Sequence, residues 1–259
     1  MIPLALVTGA SSGIGEQLAR YHARKGGDLI VTARREDQLI ALKEELEASQ
    51  NVSVHVIALD LGAEGGAQAL IEEVAARGLK PGILINNAGF GGQGRHVERD
   101  LASELSMIDL NVKALVTLTH HFGRQMAEAG KGRILQVGST AGFIPGPNQA
   151  VYFATKAFVN SFSQAVDAEL RGKGVTCTVL APGYVETEFA AAANLEGTAL
   201  TRQKRLTAAQ TARFGYDAMR RGELVAVSDW KLRLMLRYIA PFLPRRALLN
   251  MTMKMQAKN

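Results

Sequence analysis

The chain has 259 residues, 47% hydrophobic and 21% charged, with a formal net charge of +6 and a single cysteine. That length can bury a full core within one α/β domain, and the composition excludes both a disordered chain and a disulfide scaffold. No apolar run is long enough to span a bilayer, and Cys177, inside the apolar run 175–180, reads as a buried core thiol in a reducing compartment.

The charge is unevenly placed. Beyond residue 228 there are seven cations (Lys231, Arg233, Arg237, Arg245, Arg246, Lys254, Lys258) and one acid, Asp229, so the tail carries the whole +6 and residues 1–228 balance. A nucleic-acid binder would carry the positive footprint on its main domain, so that function is not expected. The chain opens almost directly on the apolar run 4–7 with no basic segment before it, so no secretory signal and a cytoplasmic location are expected.

In chain order, residues 3–8 read as a strand, Gly9-Ala-Ser-Ser-Gly-Ile-Gly15 as a glycine-rich turn and 16–25 as a helix. Such a turn lets backbone approach a ligand closely, and the helix start offers free N–H groups to phosphate. The bland alternative is a plain turn. A second strand over 28–33 ends at Arg34-Arg35. An acid there would bind the ribose 2′-hydroxyl of NAD, whereas arginine accommodates the 2′-phosphate of NADP. Two cations and no acid favour NADP(H) over NAD(H), the alternative being a solvated basic helix start.

The alternation continues with helix 36–49, strand 52–59 followed by Asp60, helix 64–77 and strand 82–85. Next come Asn86-Asn-Ala-Gly89, the glycine-rich stretch 90–94, and a long, mostly helical segment over 101–128 containing Asn111. Strand 133–137 runs into Gly138-Ser-Thr-Ala-Gly142, helix 152–171 follows, and strand 175–180 ends at Pro182-Gly183. Strands and helices alternating at this interval imply a doubly wound parallel sheet. Each singled-out segment directly follows a strand, so all gather at the carboxyl edge where ligands bind.

Tyr152 and Lys156 share one helix face at a four-residue spacing. A free phenol has a pKa near ~10, and a fixed positive charge beside it favours the phenolate. Bringing it to neutrality needs roughly 4 kcal/mol, more than one lysine readily supplies. Alone, such a pair on an exposed helix usually does nothing.

Taken with Thr8 to Gly15, Asp60, Asn86 to Gly89, Asn111, Ser139 and Pro182-Gly-Tyr-Val-Glu-Thr187, however, the chain resembles the short-chain dehydrogenase/reductase family over most of 3–190. The resemblance implies a single-domain Rossmann fold over 1–228 and an NADP(H)-dependent oxidoreductase acting on a carbonyl or secondary alcohol. It implies Tyr152 as general acid/base, with Lys156 lowering its pKa and holding the nicotinamide ribose. Ser139 would polarise the substrate oxygen, and Asn111 would hold a water relaying protons. Gly9, Ser11, Ser12, Gly13, Ile14 and Gly15 would bind the cofactor with Arg34 and Arg35. Asp60 would meet the adenine, Asn86, Asn87, Ala88 and Gly89 would line the cofactor, and Pro182, Gly183, Val185 and Thr187 would shape its nicotinamide wall. No metal is implied. A homodimer or homotetramer is, through the helices near 101–128 and 152–171.

Residues 188–210 correspond to the family's substrate lid. Arg202, Lys204 and Arg205 lie nearby, and Phe143, Ile144, Tyr184 and Phe189 are candidates for lining an apolar pocket. The tail, 229–259, reads as a basic amphipathic helical extension. Three readings stay open for it: packing on the domain or in an oligomer, a pocket wall of flexible methionines, and contact with an acidic membrane surface. The rival function is an NADP(H)-sensing regulator without turnover, which would need no proton relay. An epimerase or dehydratase is a further alternative.

Overall fold

The computed structural model describes residues 2–198 and 206–257. Seven apolar runs form strands: β1 Ala5–Thr8, β2 Leu29–Ala33, β3 Val54–Ala58, β4 Ile83–Asn86, β5 Gly132–Val137, β6 Val175–Ala181 and β7 Val225–Val227. All pair in parallel, in the order β3-β2-β1-β4-β5-β6-β7. Such strands are apolar throughout because helices cover both faces of the sheet.

The period of two sorts their side chains. Ala5, Val7, Ile83 and Ile85 pack with one cluster, against α1 (Gly13–Arg24), α2 (Glu36–Ser49) and α8 (Ala208–Arg221). Leu6 and Leu84 face the other way, toward α3 (Gly66–Ala76), α5 (Leu115–Glu128) and α6 (Ala150–Leu170). Cys177 belongs to that second cluster, and burial pushes its thiol up to about 12, an inert core group as expected.

The chain lays down β1, β2 and β3 outward, then returns to set β4 on the other side of β1. The two crossovers part there, opening a crevice above the carboxyl ends of β1 and β4. Between α4 (Leu101–Ile108) and α5, residues Asp109–Ala114 form one turn of the wider π-helix, so the expected helical segment is continuous but locally swollen around Asn111.

Two elements went unread in the sequence. Helix α8 starts on a reciprocal capping box between Thr207 and Gln210 and ends on Gly222 at φ 68°. Both are legible start and stop signals. Strand β7 has only three residues, too few for any periodicity. The remaining helices are α7 (Glu188–Ala192), α9 (Trp230–Tyr238) and α10 (Arg245–Gln256).

Helices α1 and α8 meet through a buried polar contact. His22 Nδ1 lies 2.8 Å from the Tyr216 hydroxyl and Nε2 lies 3.1 Å from the Asp28 carbonyl. Burial pushes the imidazole down from 6.5 to about 4. The neutral ring therefore stabilises the fold fully above pH 6.5, and this contribution is lost progressively as pH falls toward 4, in total on the order of 3 kcal/mol. His22→Gln should accordingly show a smaller loss of urea stability between pH 7.5 and 5 than the parent. Equal losses would place the acid sensitivity elsewhere.

Candidate active site

The crevice is stitched together at its base. Thr8 Oγ1, at the end of β1, accepts from the backbone N–H groups of Asn87 and Ala88 at 3.0 Å each. Asn87 Nδ2 donates back to the carbonyls of Thr8 (3.0 Å) and Gly9 (3.1 Å). Gly9 sits at φ 65°, and a Cβ there would lie 2.8 Å from the Asn87 amide. A Cβ on Gly15 would lie 2.2 Å from the Gly9 carbonyl oxygen. Gly15 thus lets α1 close on the turn, and it does not line the cleft.

Above this base is a cleft of about 550 Å³. Its first end is formed by Gly9, Ser11, Ser12, Gly13 and Ile14. No side chain caps the N-terminus of α1, which leaves its first N–H groups open to an anion. Arg35 donates to Ser11 Oγ (3.2 Å) and Ser12 Oγ (2.9 Å), while Arg34 is exposed, 4.0 Å from Asp60. Asp60 accepts from the Gly62 N–H at 2.9 Å. Asn87, Ala88 and Gly89 line the middle, and Pro182, Gly183, Val185 and Thr187 the facing wall. Uncapped helix N–H groups, two guanidiniums and hydroxyls form a donor set that fits a phosphorylated dinucleotide. Asn86 does not line it: its Nδ2 donates to Thr119 Oγ1 within the core.

Ser139, Tyr152 and Lys156 line the centre. Lys156 is 6% exposed and its Nζ donates to the Val137 carbonyl at 2.8 Å. Burial lowers it to about 8. Its Nζ lies 5.9 Å from the centroid of the Tyr152 ring, so the four-residue spacing brings the pair together. The phenol itself is pushed up to about 12 by burial, with the nearby Ser139 hydroxyl pulling the other way. The lysine alone therefore does not lower the phenol, in keeping with the need for a second positive charge.

Asn111 is buried behind the cleft wall. Its Oδ1 accepts from Phe90 N (3.0 Å), and its Nδ2 donates to Phe90 O (2.9 Å) and Thr155 Oγ1 (3.2 Å). The side chain thereby fastens the 90–94 stretch to α6, and a Cβ on Gly89 would lie 2.8 Å from Asn111 Oδ1.

The far end is apolar. Ile144, Tyr184 and Phe189 line it as expected, with the Phe189 ring 5.4 Å from Tyr152. Phe143 does not; it is 38% exposed. Leu232, Met235 and Leu236 of α9, with Met251 and Met255 of α10, complete the wall. In the structure the inner face of the tail therefore packs against the cleft as a wall lined with leucines and methionines. Arg202, Lys204, Arg205 and the middle of the expected lid fall outside the described residues.

Several participants carried no sequence signal. Glu188 pairs with Arg35 at 2.9 Å across the cleft, which holds its carboxyl below the usual range. Gln149, just before α6, donates to Gln256 of α10, and both are buried. Gln93 donates its side chain to the Gln256 carbonyl (3.2 Å) and its backbone N–H to Ala193 (3.0 Å). Arg99 braces the same loop, bonding Gln93 O (2.9 Å) and the buried Glu104 (2.5 Å). The contacts of Glu188, Gln149 and Gln93 join residues too distant in sequence to leave a local pattern.

A family model described as short chain dehydrogenase matches residues 3–197. The chain is 42% identical over 191 residues to sulfoacetaldehyde reductase 2 of Chromohalobacter salexigens, covering 73% of this chain and 75% of that one. Among solved structures it is similar to a short-chain dehydrogenase from Sphingobium yanoikuyae in complex with NADPH, at 31% identity and TM-score 0.83, covering 90% of each chain. It is also similar to the bulky-bulky ketone specific alcohol dehydrogenase from Comamonas testosteroni, at 30% identity and TM-score 0.78, covering 95% of this chain and 98% of that one.

The three bonds of Asn111 give it a measurable structural role. Asn111→Leu leaves the Phe90 N–H and carbonyl unpaired and should cost about 2–4 kcal/mol in urea unfolding. A cost below ~0.5 kcal/mol would show that the loop is held by other contacts.

Proposed function

Since this chain belongs to the short-chain dehydrogenase/reductase family, we propose that it is an NADP(H)-dependent oxidoreductase interconverting an apolar ketone or aldehyde and its alcohol. The observation that carries this reading is convergence. Tyr152, Ser139 and Lys156 share the middle of one cleft, between a phosphate-binding turn at one end and an apolar wall at the other.

The cofactor supplies hydride transfer when bound; the chain's own residues position the substrate and move the proton. Ser139 donates to the substrate oxygen and orders it against Tyr152. Tyr152 holds its proton at neutral pH, so as a general acid it is ready for carbonyl reduction without prior ionisation. The alcohol-oxidising direction needs the phenolate, which burial disfavours, so added positive charge is required there. Lys156 keeps most of its charge at neutral pH and, lining the same cleft, would hold the nicotinamide ribose. Asn111 positions the Phe90 loop and α6 around this group and serves the proposed relay from there.

Support for NADP(H) comes from Arg35 bonded to Ser11 and Ser12, from Arg34 exposed at the cleft with no acid at the end of β2, and from the NADPH complex of the Sphingobium protein. Glu188 shares Arg35 with any 2′-phosphate and so competes with it. For the substrate, the cations among the described lining residues are Arg34, Arg35 and Lys156, all assigned to the cofactor or the proton. Among the described residues, the substrate end therefore offers no cation to pair with a small sulfonate such as the Chromohalobacter enzyme's name implies. Its leucines, aromatics and methionines suit a bulky apolar ketone, the class named for the Comamonas protein. Self-association is proposed through the helices at 101–128 and 152–170, where Leu105 and Phe158 are exposed and Phe158 stacks on Phe162. A pure NADP(H) sensor is the weaker reading, because it leaves the paired phenol and serine without a task.

Tyr152→Phe should abolish turnover of carbonyl compounds while leaving the NADPH dissociation constant within about twofold; normal turnover would remove the mechanism. The double variant Arg34→Ala/Arg35→Ala should weaken NADPH far more than NADH by equilibrium titration, and equal losses would refute the 2′-phosphate assignment. Glu188→Gln should tighten NADPH by ~5-fold, the worth of one exposed ion pair. Unchanged or weaker binding would show that Glu188 does not compete.

A further inference from the structure

The inner face of α9 is accounted for by the cleft; its outer face is not. Trp230, Leu234 and Tyr238 recur every four residues and are 62%, 46% and 58% exposed. One ridge of the helix is therefore apolar and faces solvent. It continues into Ile239 (54%) and Phe242 (83%), where Pro241 and Pro244 turn the chain toward α10. An isolated exposed apolar residue needs no explanation, but a contiguous ridge of five marks an interaction surface.

The charge around this ridge says what it meets. Lys231, Arg233 and Arg237 flank it, and Arg245 and Arg246 open the next helix, all exposed. Among the described residues none of these five is in an ion pair, and no acid occurs from 230 to 257. Lys231 Nζ lies 5.7 Å from the Trp230 ring and the Arg237 guanidinium 5.4 Å from the Tyr238 ring, so cations and aromatics stand at one level. Two copies of this face would repel each other. Tryptophan and tyrosine prefer the headgroup level of a bilayer, and cations beside them attract anionic lipid.

We propose that the outer face of α9 and the turn after it form a docking surface for an anionic lipid bilayer, lying on the membrane without crossing it. No helix among the described residues is long and apolar enough to cross. The ridge supplies apolar insertion and the five cations supply attraction. Because Leu232, Met235 and Leu236 on the opposite face of α9 line the cleft, docking sets the apolar end of the cleft one helix thickness, ~10 Å, from the lipid. That last consequence rests on the substrate reading above; the docking itself does not.

Trp230 is the only tryptophan in the chain, so its fluorescence reports on this face alone. Mixed with vesicles of phosphatidylcholine and phosphatidylglycerol at low ionic strength, the full chain should cosediment and its emission should shift to the blue. Both effects should vanish in phosphatidylcholine alone and at about 0.5 M salt, where charges are screened within a few ångströms. Arg233→Gln/Arg237→Gln should weaken binding by ~25-fold, about fivefold per cation. Leu234→Ser/Phe242→Ser should lose the blue shift while NADPH affinity is kept. Absence of cosedimentation with the anionic vesicles at low salt would overturn the proposal. So would a blue shift that appears without vesicles as protein concentration rises, which would assign the face to a second copy. Failure of NADPH binding or turnover in the parent chain would count against the enzymatic reading and leave the vesicle result standing.

Discussion

A lysine ammonium held almost out of water is the interaction on which the site depends. Left unpaired, such a group would cost several kcal/mol or surrender its proton. The Val137 carbonyl, the last of β5, takes one of its N–H bonds, and this pins α6 to the carboxyl edge of the sheet. One turn along, Asn160 donates to the Ser139 carbonyl at 3.0 Å, so the chain leaving β5 is tied to the same helix face. Gly142 completes the approach, since a Cβ there would lie 2.4 Å from the Lys156 carbonyl oxygen. Serine, tyrosine and lysine thus owe their mutual placement to backbone contacts between β5 and α6, more than to contacts with one another.

That dependence explains what could be read beforehand. Strands with apolar residues on both faces and helices of regular length announce a parallel sheet, and each strand end then falls at one edge. Tyr152, Lys156 and Ser139, and Gly9 and Gly13 of the turn, were therefore placed by topology once the alternation was seen. Gly15 and Asn86 were legible as participants, but their roles were not: one admits a carbonyl into a helix–turn contact, the other bonds Thr119 in the core. Nothing local distinguishes those tasks from lining a cofactor. Phe143 reads as pocket from sequence because it closely follows Ser139, and only the turn geometry shows it facing solvent. Glu188, Gln93 and Gln149 were invisible, since each works through a partner brought close by the fold.

The phenol's chemistry is where sequence reasoning and geometry part most sharply. Proximity of opposite charge and removal from water act on a tyrosine in opposite senses. The four-residue spacing reveals the first and says nothing of the second. In the folded site burial prevails, and the ammonium is itself depressed by the same desolvation. Burial strengthens the effect of any charge brought near, so the phenol would respond most to a further cation entering the cleft.

The tail shows how a peripheral segment becomes part of such a site. Its inner contacts are leucines and methionines, which are non-directional and would tolerate sliding by a turn. Three amides remove that freedom: Gln256 is bonded by Gln149 through its side chain and by Gln93 through its carbonyl. A shift in register would strand buried polar groups at about 1–3 kcal/mol each. Since Gln149 precedes α6 and Gln93 lies in the loop fastened by Asn111 and Arg99, the register of the tail is set by the elements that hold Tyr152. The apolar wall is therefore built to the same reference frame as Tyr152, while the opposite face of α9, with no such bond among the described residues, keeps its aromatic and basic side chains outward.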